Sequence, residues 1–173
     1  VQGLAFWKAV TVDRSHLLER FVHLLRTHDV PFCVIGGQAV NAYVEPVVSL
    51  DLDVVIAADR VAEVRGLMAP VFHVETVPLR LKIAAPHSDL RVQIQLDPRY
   101  ADVLDRAAPH DVLGLTLPVA SVDDVLRGKV WAVEDPGRRA SKRQKDLADI
   151  ARLLEHYPRL RPSVPRSVLD RLI

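Results

Sequence analysis

Val34-Ile35-Gly36-Gly37 is followed, after thirteen residues, by Asp51-Leu52-Asp53-Val54-Val55-Ile56. Pro31 precedes a short apolar run, Phe32 to Ile35, which reads as a strand ending in a glycine turn. The second stretch reads as a further strand, Leu52 to Ala57, entered through Asp51. Side chains alternate along a strand, so Asp51 and Asp53 point to one face while Leu52 and Val54 point to the other. Their Cα atoms should lie roughly 6.5 Å apart. Two like charges that close in a half-buried strand repel and are poorly solvated. A bound divalent cation makes such a pair tolerable, and Mg²⁺, which takes hard oxygen ligands, commonly arrives with a phosphate. The apolar run Val54 to Ala58 argues against a plain solvated strand end.

The rest of the chain is organised around those strands. Leu17, Leu18, Phe21, Leu24 and Leu25 recur at helical spacing within a helix expected from Asp13 to Thr27. Gln38 to Tyr43 makes a short helix, and Arg60 to Met68 another, closed by Pro70. Val71 to Val77 and Leu79 to Ile83 read as strands around Pro78, and Leu90 to Leu96 as a further one. Arg99 to Ala107 is expected to be helical, and Leu115 to Val119 a short extended segment. Ser121 then caps a helix to about Val133, with Asp124 in capping-box position. Arg138 to His156 is the longest helix, ended by Pro158. This order predicts an α+β fold: a small mixed β-sheet flanked by helices, with a helical C-terminal part. The division expected is a core over 1–112 and a helical part over 113–173, packed as one compact unit.

Composition excludes little. At 173 residues the chain is one domain, or one with a small appendage, and a hydrophobic fraction of 49% suffices for a core. The 23 basic and 22 acidic side chains give no net charge that would name a partner. No run of about 18 apolar residues is present, so no membrane span is expected. No stretch reads as a signal peptide, and the single Cys33 suits a reducing, cytoplasmic setting. The seven histidines include no i, i+4 pair of a zinc helix.

A strand, a glycine turn and a helix place backbone N–H groups where phosphate oxygens can sit, and glycine permits close approach. In this order, Ile35-Gly36-Gly37, a spacer, then Asp51-Leu52-Asp53-Val54, the chain resembles the nucleotidyltransferase superfold. The resemblance implies that Asp51 and Asp53 are catalytic carboxylates that bind Mg²⁺ (or Mn²⁺), and that Gly36 and Gly37 face the triphosphate of an NTP. That superfold usually adds a third carboxylate on a later strand. Here the strand reads Arg91-Val92-Gln93-Ile94-Gln95-Leu96-Asp97, with Gln93 or Gln95 at the expected place. An amide neither takes a proton nor supplies metal-binding charge. Asp97 and Asp89 share the parity of the glutamines, Asp97 being read as a turn residue before Pro98. A second departure is Pro46-Val47-Val48, which lacks the basic residue that relatives often carry near Ser49.

On the helix from Val122, Lys129 falls amid the apolar stripe of Val122, Val125, Leu126, Val130 and Val133, so its ammonium must snorkel or reach a polar pocket such as a triphosphate site. On the helix from Arg138, a core row of Ala140, Leu147, Ile150, Ala151 and Leu154 is expected to bring Arg143 and Asp146 toward the body. Arg138, Lys142, Lys145 and Asp149 are then expected to project the other way, the two lysines into water. The basic run Arg138 to Arg143 is a solvated face or a contact for RNA phosphates.

Lys129 with Arg143-Gln144-Lys145-Asp146 is similar to the motifs of the AbiEii/MenT-like group, which holds many toxin-type nucleotidyltransferases. That likeness implies nucleotide contact by Lys129, with Arg143 helping to neutralise phosphate, and catalytic assistance from Asp146 as a replacement carboxylate. The expected function is Mg²⁺-dependent transfer of an NMP from an NTP to a hydroxyl of RNA, protein or a small molecule. The alternative is a catalytically impaired relative, marked by Gln93 and Gln95, that binds nucleotide or a protein partner. A third reading is a toxin–antitoxin component whose partner covers the site.

Overall fold

The computed structural model describes residues 15–172. Seven strands form one mixed sheet: β1 (Phe32–Ile35), β2 (Asp51–Ile56), β3 (His73–Val77), β4 (Arg80–Ala84), β5 (Arg91–Gln95), β6 (Ala108–Val112) and β7 (Leu115–Val119). Their spatial order is β3-β4-β5-β2-β1-β7-β6. The pairs β2–β5 and β1–β7 are parallel and the rest antiparallel. Six helices accompany them: α1 (Leu17–Thr27), α2 (Gly36–Tyr43), α3 (Val61–Met68), α4 (Val122–Glu134), α5 (Ala140–His156) and α6 (Arg166–Leu169). The sheet continues past residue 112, because the β6–β7 hairpin spans that point.

The two faces of the sheet differ in chemistry. Leu52 and Val54 on β2, Leu81 and Ile83 on β4, and Val92 and Ile94 on β5 are all buried, in one core with Leu17, Phe21 and Leu25 of α1. Each such aliphatic side chain contributes about 1.5–3 kcal/mol by leaving water. The residues between them point the other way: Asp51 and Asp53, Arg91, Gln93 and Gln95, Arg80 and Lys82. In β2 the alternation lasts only to Val54; Val55 and Ile56 are both buried, so the polar face closes toward the far end of the strand. Central β1 is buried at every position, including Cys33, whose thiol burial pushes up to about 12. It is a packing residue with little thiolate character.

Several expectations need correction. Asp13 and Arg14 lie outside the described residues, and the first helix begins at Leu17. Arg99 to Ala107 is not one helix but two short 3₁₀ turns, Pro98–Tyr100 and Val103–Arg106. Asp97 caps the first by accepting from Arg99 N–H at 3.0 Å, and the Tyr100 ring is engaged against α4, so helix propagation stops. Strand β6 was not anticipated, because Ala108-Pro109-His110-Asp111-Val112 lacks alternation. It survives as the sheet's outermost strand, where a proline is tolerated. The β3–β4 turn holds Leu79 at φ 58, where the sequence offers no glycine. Ser121 caps α4 as expected, accepting from Asp124 N–H at 3.2 Å. Among the described residues, no helix is long and apolar enough to cross a membrane.

Candidate active site

Strand β1 ends at Ile35 and α2 starts at once, because Gly36 takes φ 68. The turn brings the backbone against the Asp pair. A Cβ on Gly36 would lie 2.4 Å from Asp53 Oδ2, so glycine is required by the carboxylate itself. A Cβ on Gly37 would meet only Ser49 Oγ, at 3.7 Å. The two glycines therefore have different physical roles: Gly36 admits Asp53, and Gly37 leaves the cavity open.

Both carboxylates line a cavity of ≈ 160 Å³, walled by the Gly36-Gly37 turn, by Arg80, Gln93 and Tyr100, and by Lys129, Arg138, Lys142, Lys145 and Asp146 from α4, α5 and the loop between them. It shares Asp51, Arg80, Gln93, Arg138 and Lys142 with a wider cleft of ≈ 620 Å³. Burial pushes the Asp53 carboxyl above the usual carboxylate range; Lys129 opposes that shift, Asp51 adds to it, and Arg80 and Arg138 oppose it. Keeping Asp53 ionised therefore costs folding stability. That cost is absent below the ordinary aspartate pKa and is present in full once pH rises past the shifted value. Asp51 has cations beside it: Arg91 Nε lies 3.0 Å from Oδ1 and Lys142 Nζ 3.4 Å from Oδ2. The Arg91 contact is an ion pair without hydrogen-bond alignment, and buried Oδ1 receives no hydrogen bond.

Tyr100 enters over Gly128, where a Cβ would come within 2.9 Å of its Oη. Burial, then the nearby Asp53, pushes its phenol up to about 12. Its ring meets Trp131 edge-on at 5.2 Å, and the guanidinium of Arg99 lies 4.7 Å over that indole.

Lys129 does reach a polar pocket, but an internal one. Its Nζ donates to Asp146 Oδ1 at 2.9 Å and lies 2.7 Å from Asp149 Oδ2. Burial alone would push its ammonium down; Asp149 and Asp146 outweigh burial and hold it above the usual lysine range. Arg138 Nε donates to Asp146 Oδ2 at 2.8 Å, and Arg152 Nη1 to Asp149 Oδ1 at 2.8 Å. Asp146 is thus engaged on both oxygens. Among the described residues, no group of three His, Cys, Asp or Glu side chains is gathered to hold a metal, so Asp146 does not join the Asp pair here.

The expected face of α5 needs correction. Asp149 is buried, Arg138 pairs with Asp146, and Lys142 and Lys145 line the cavity. Arg143 instead donates to the carbonyls of Asp135 and Pro136, at 2.8 and 3.5 Å, tying down the α4–α5 loop outside the cavity. Asp146 faces inward as expected, but the buried face is wider than the apolar stripe and takes in Asp149 as well. On β5, Gln93 sits directly beside Asp53 in register and accepts from Arg80 Nη1 at 3.4 Å. Gln95 accepts from Asp97 N–H at 3.1 Å, and Asp97 pairs with Arg99 at 2.7 Å, as a turn residue. Sequence reading did not assign Arg80 or Tyr100 to the site, and took Arg138 and Lys142 only as part of a basic run, a solvated face or a contact for phosphates. That run and the strand alternation of Arg80 and Lys82 were the readable signals.

Comparison with solved structures defines the fold. The antibiotic-resistance factor ANT(2'')-Ia matches over 87% of this chain and 90% of its own, with a TM-score of 0.60 at 12% identity. The lincosamide antibiotic adenylyltransferase LnuA, solved with lincomycin bound, matches over 83% and 97%, with a TM-score of 0.57 at 16% identity. An antigenic nucleotidyltransferase-like protein from Paracoccidioides brasiliensis covers 84% and 78%, with a TM-score of 0.53 at 16% identity. The fold is that of a nucleotidyltransferase. No curated protein matches the sequence. The family described as "Nucleotidyl transferase AbiEii toxin, Type IV TA system" matches residues 24–171, and the chain belongs to that family.

Two predictions follow from the geometry. Gly36→Ala should lower the melting temperature, since it imposes about 1–2 kcal/mol of left-handed strain and displaces Asp53; Gly37→Ala should melt at or slightly above wild type. Equal melting temperatures would contradict the division of roles. Lys129→Met should cost about 3 kcal/mol, because Asp146 and Asp149 stay buried with only their arginine partners. For a chain of this size that is a fall of roughly 6–12 °C in Tm, readable by circular dichroism. An unchanged Tm would show that the ammonium does not hold the two carboxylates.

Proposed function

We propose that the chain is a nucleotidyltransferase that moves an NMP from an NTP to a hydroxyl acceptor and works with Mg²⁺ or Mn²⁺. The observation that carries this reading is the Asp51–Asp53 pair, set on one face of β2 under the Gly36-Gly37 turn, in a cavity walled by cationic side chains. Asp51 and Asp53 would hold the metal. Supporting that assignment, Asp51 Oδ1 is buried without an aligned hydrogen bond, and both donors are the hard oxygens such ions take. When bound, the ion supplies charge neutralisation to the triphosphate.

The chain's own residues would do the rest. Gly37 leaves room for phosphate oxygens beside the start of α2. Lys142 and Lys145, with Arg138 and Arg80, would neutralise the charge that grows on the leaving group. Lys129 adds positive potential at Asp53 from its buried seat. Asp146 would act through Lys129 and Arg138 as a positioning residue rather than on the acceptor. In the reaction, the acceptor hydroxyl oxygen bonds to the α-phosphorus. The bond from that phosphorus to the bridging oxygen breaks, pyrophosphate leaves, and the hydroxyl proton passes to solvent.

The wider cleft supports an anionic acceptor, of which RNA is the leading case. Six Arg and Lys side chains line it against three carboxylates, and closely spaced phosphates favour such a surface. Buried, unreactive Cys33 accords with a cytoplasmic setting. A second reading, nucleotide binding without transfer, is favoured by Gln93 beside Asp53, where the superfold usually carries a carboxylate. A partner protein covering the cleft, as in a toxin–antitoxin pair, is compatible with either reading.

Asp53→Asn separates the two. With labelled NTPs and a pool of cellular RNA, wild type should transfer label in the presence of Mg²⁺. The variant should remain folded by circular dichroism and lose at least a hundredfold in rate. Retained transfer in the folded variant would overturn the assignment, and no transfer by wild type would favour the binding-only reading.

A further inference from the structure

The ligands and charges around the Asp pair do not suit two divalent ions. Paired catalytic ions sit about 3.5–4 Å apart, and each needs anionic oxygens. Beside Asp53 on β5 stands neutral Gln93, whose Oε1 accepts from Arg80 Nη1 at 3.4 Å. The guanidinium lines the same cavity as both aspartates, and a permanent positive charge there repels a dication. On the other flank, Arg91 and Lys142 already stand 3.0 and 3.4 Å from the Asp51 oxygens. Five Lys and Arg side chains and three carboxylates line the cavity, and Arg91 adds a sixth cation at Asp51, a surplus of three positive charges. A nucleoside triphosphate brings about four negative charges. One divalent ion then already leaves about one positive charge in excess; a second raises the excess to about three in a half-enclosed space.

We propose that this site takes a single divalent cation per nucleotide, held by Asp51 and Asp53 with the triphosphate, and that Arg80, anchored on Gln93, supplies the fixed positive charge on the β5 side that a second ion would otherwise provide. The proposal rests on the nucleotidyltransferase reading and adds the metal count and the role of Arg80. It also gives Gln93 a function: its amide orients a guanidinium rather than marking a site that has lost its chemistry.

Equilibrium dialysis of the protein against Mn²⁺ and a non-hydrolysable NTP analogue tests it, with manganese and analogue both counted on the protein side. Wild type should retain one manganese per analogue; two per analogue would overturn the proposal. Gln93→Asp, checked for folding by its melting curve, should raise the ratio to two; a folded variant that stays at one would overturn the role of Gln93. Arg80→Gln should keep the ratio at one and weaken analogue binding about tenfold or more; unchanged affinity would overturn the role of Arg80. Failure of the underlying reading looks different, since neither manganese nor analogue would then accumulate with the protein.

Discussion

Two carboxylates on one face of β2, turned into a cavity, impose a charge problem that the surrounding structure is arranged to meet. Asp51 has Arg91 and Lys142 at its oxygens. Asp53 has no ion-pair partner among the described residues, and burial pushes its carboxyl up toward the protonated state. Position 36 requires glycine on two counts: its φ is left-handed, and Asp53 Oδ2 occupies the space a Cβ would need. The chain turn, the helix start and the carboxylate position are thus one constraint. The cations come from three directions: Arg80 across the sheet, Lys142 and Lys145 from α5, and Arg138 from the loop before it.

Beneath that layer lies a second set of charges with a different purpose. Lys129 is buried between Asp146 and Asp149 and forms an ion pair with each, while Arg138 pairs with Asp146 and Arg152 with Asp149. Arg152 also reaches the Glu45 carbonyl, so the network joins α4 and α5 to the loop leading into β2. Such a network adds little net stability over apolar packing but fixes one arrangement of its helices. Here the arrangement it fixes is the one that sets Arg138 and Lys142 over the Asp pair. Asp146 and Lys129 thus join the helices that carry the cavity walls.

The sheet and the Asp pair were legible because strand alternation is a short-range signal: Asp51, Asp53, Gln93 and Gln95 could all be placed on one face from the sequence. The register that sets Gln93 beside Asp53 agrees with that reading. The α5 face was legible only in part: Asp146 was placed inward, but Asp149 was not, because hydrophobic periodicity assumes that buried means apolar and Asp149 is buried against Lys129, twenty residues away. Arg143 illustrates the same limit. It sits in the first turn of α5, where the partner it meets is the preceding loop's carbonyls. Strand β6 has no pattern of its own; its partner β7 makes it a strand. Strand alternation gives the face of Arg80 but the β4–β5 register sets its neighbours, and Tyr100 enters through a packing contact at Gly128 that is not encoded locally.

The central claim is that the Asp pair receives a metal-bound nucleoside triphosphate. Thermal melting of the wild-type protein with each NTP, with and without Mg²⁺, tests it most directly. A ligand present at a hundred times its Kd raises folding stability by about 2.7 kcal/mol. Tm should rise only with nucleotide and Mg²⁺ together, and little or not at all with either alone. No shift with any NTP in the presence of Mg²⁺ would contradict it.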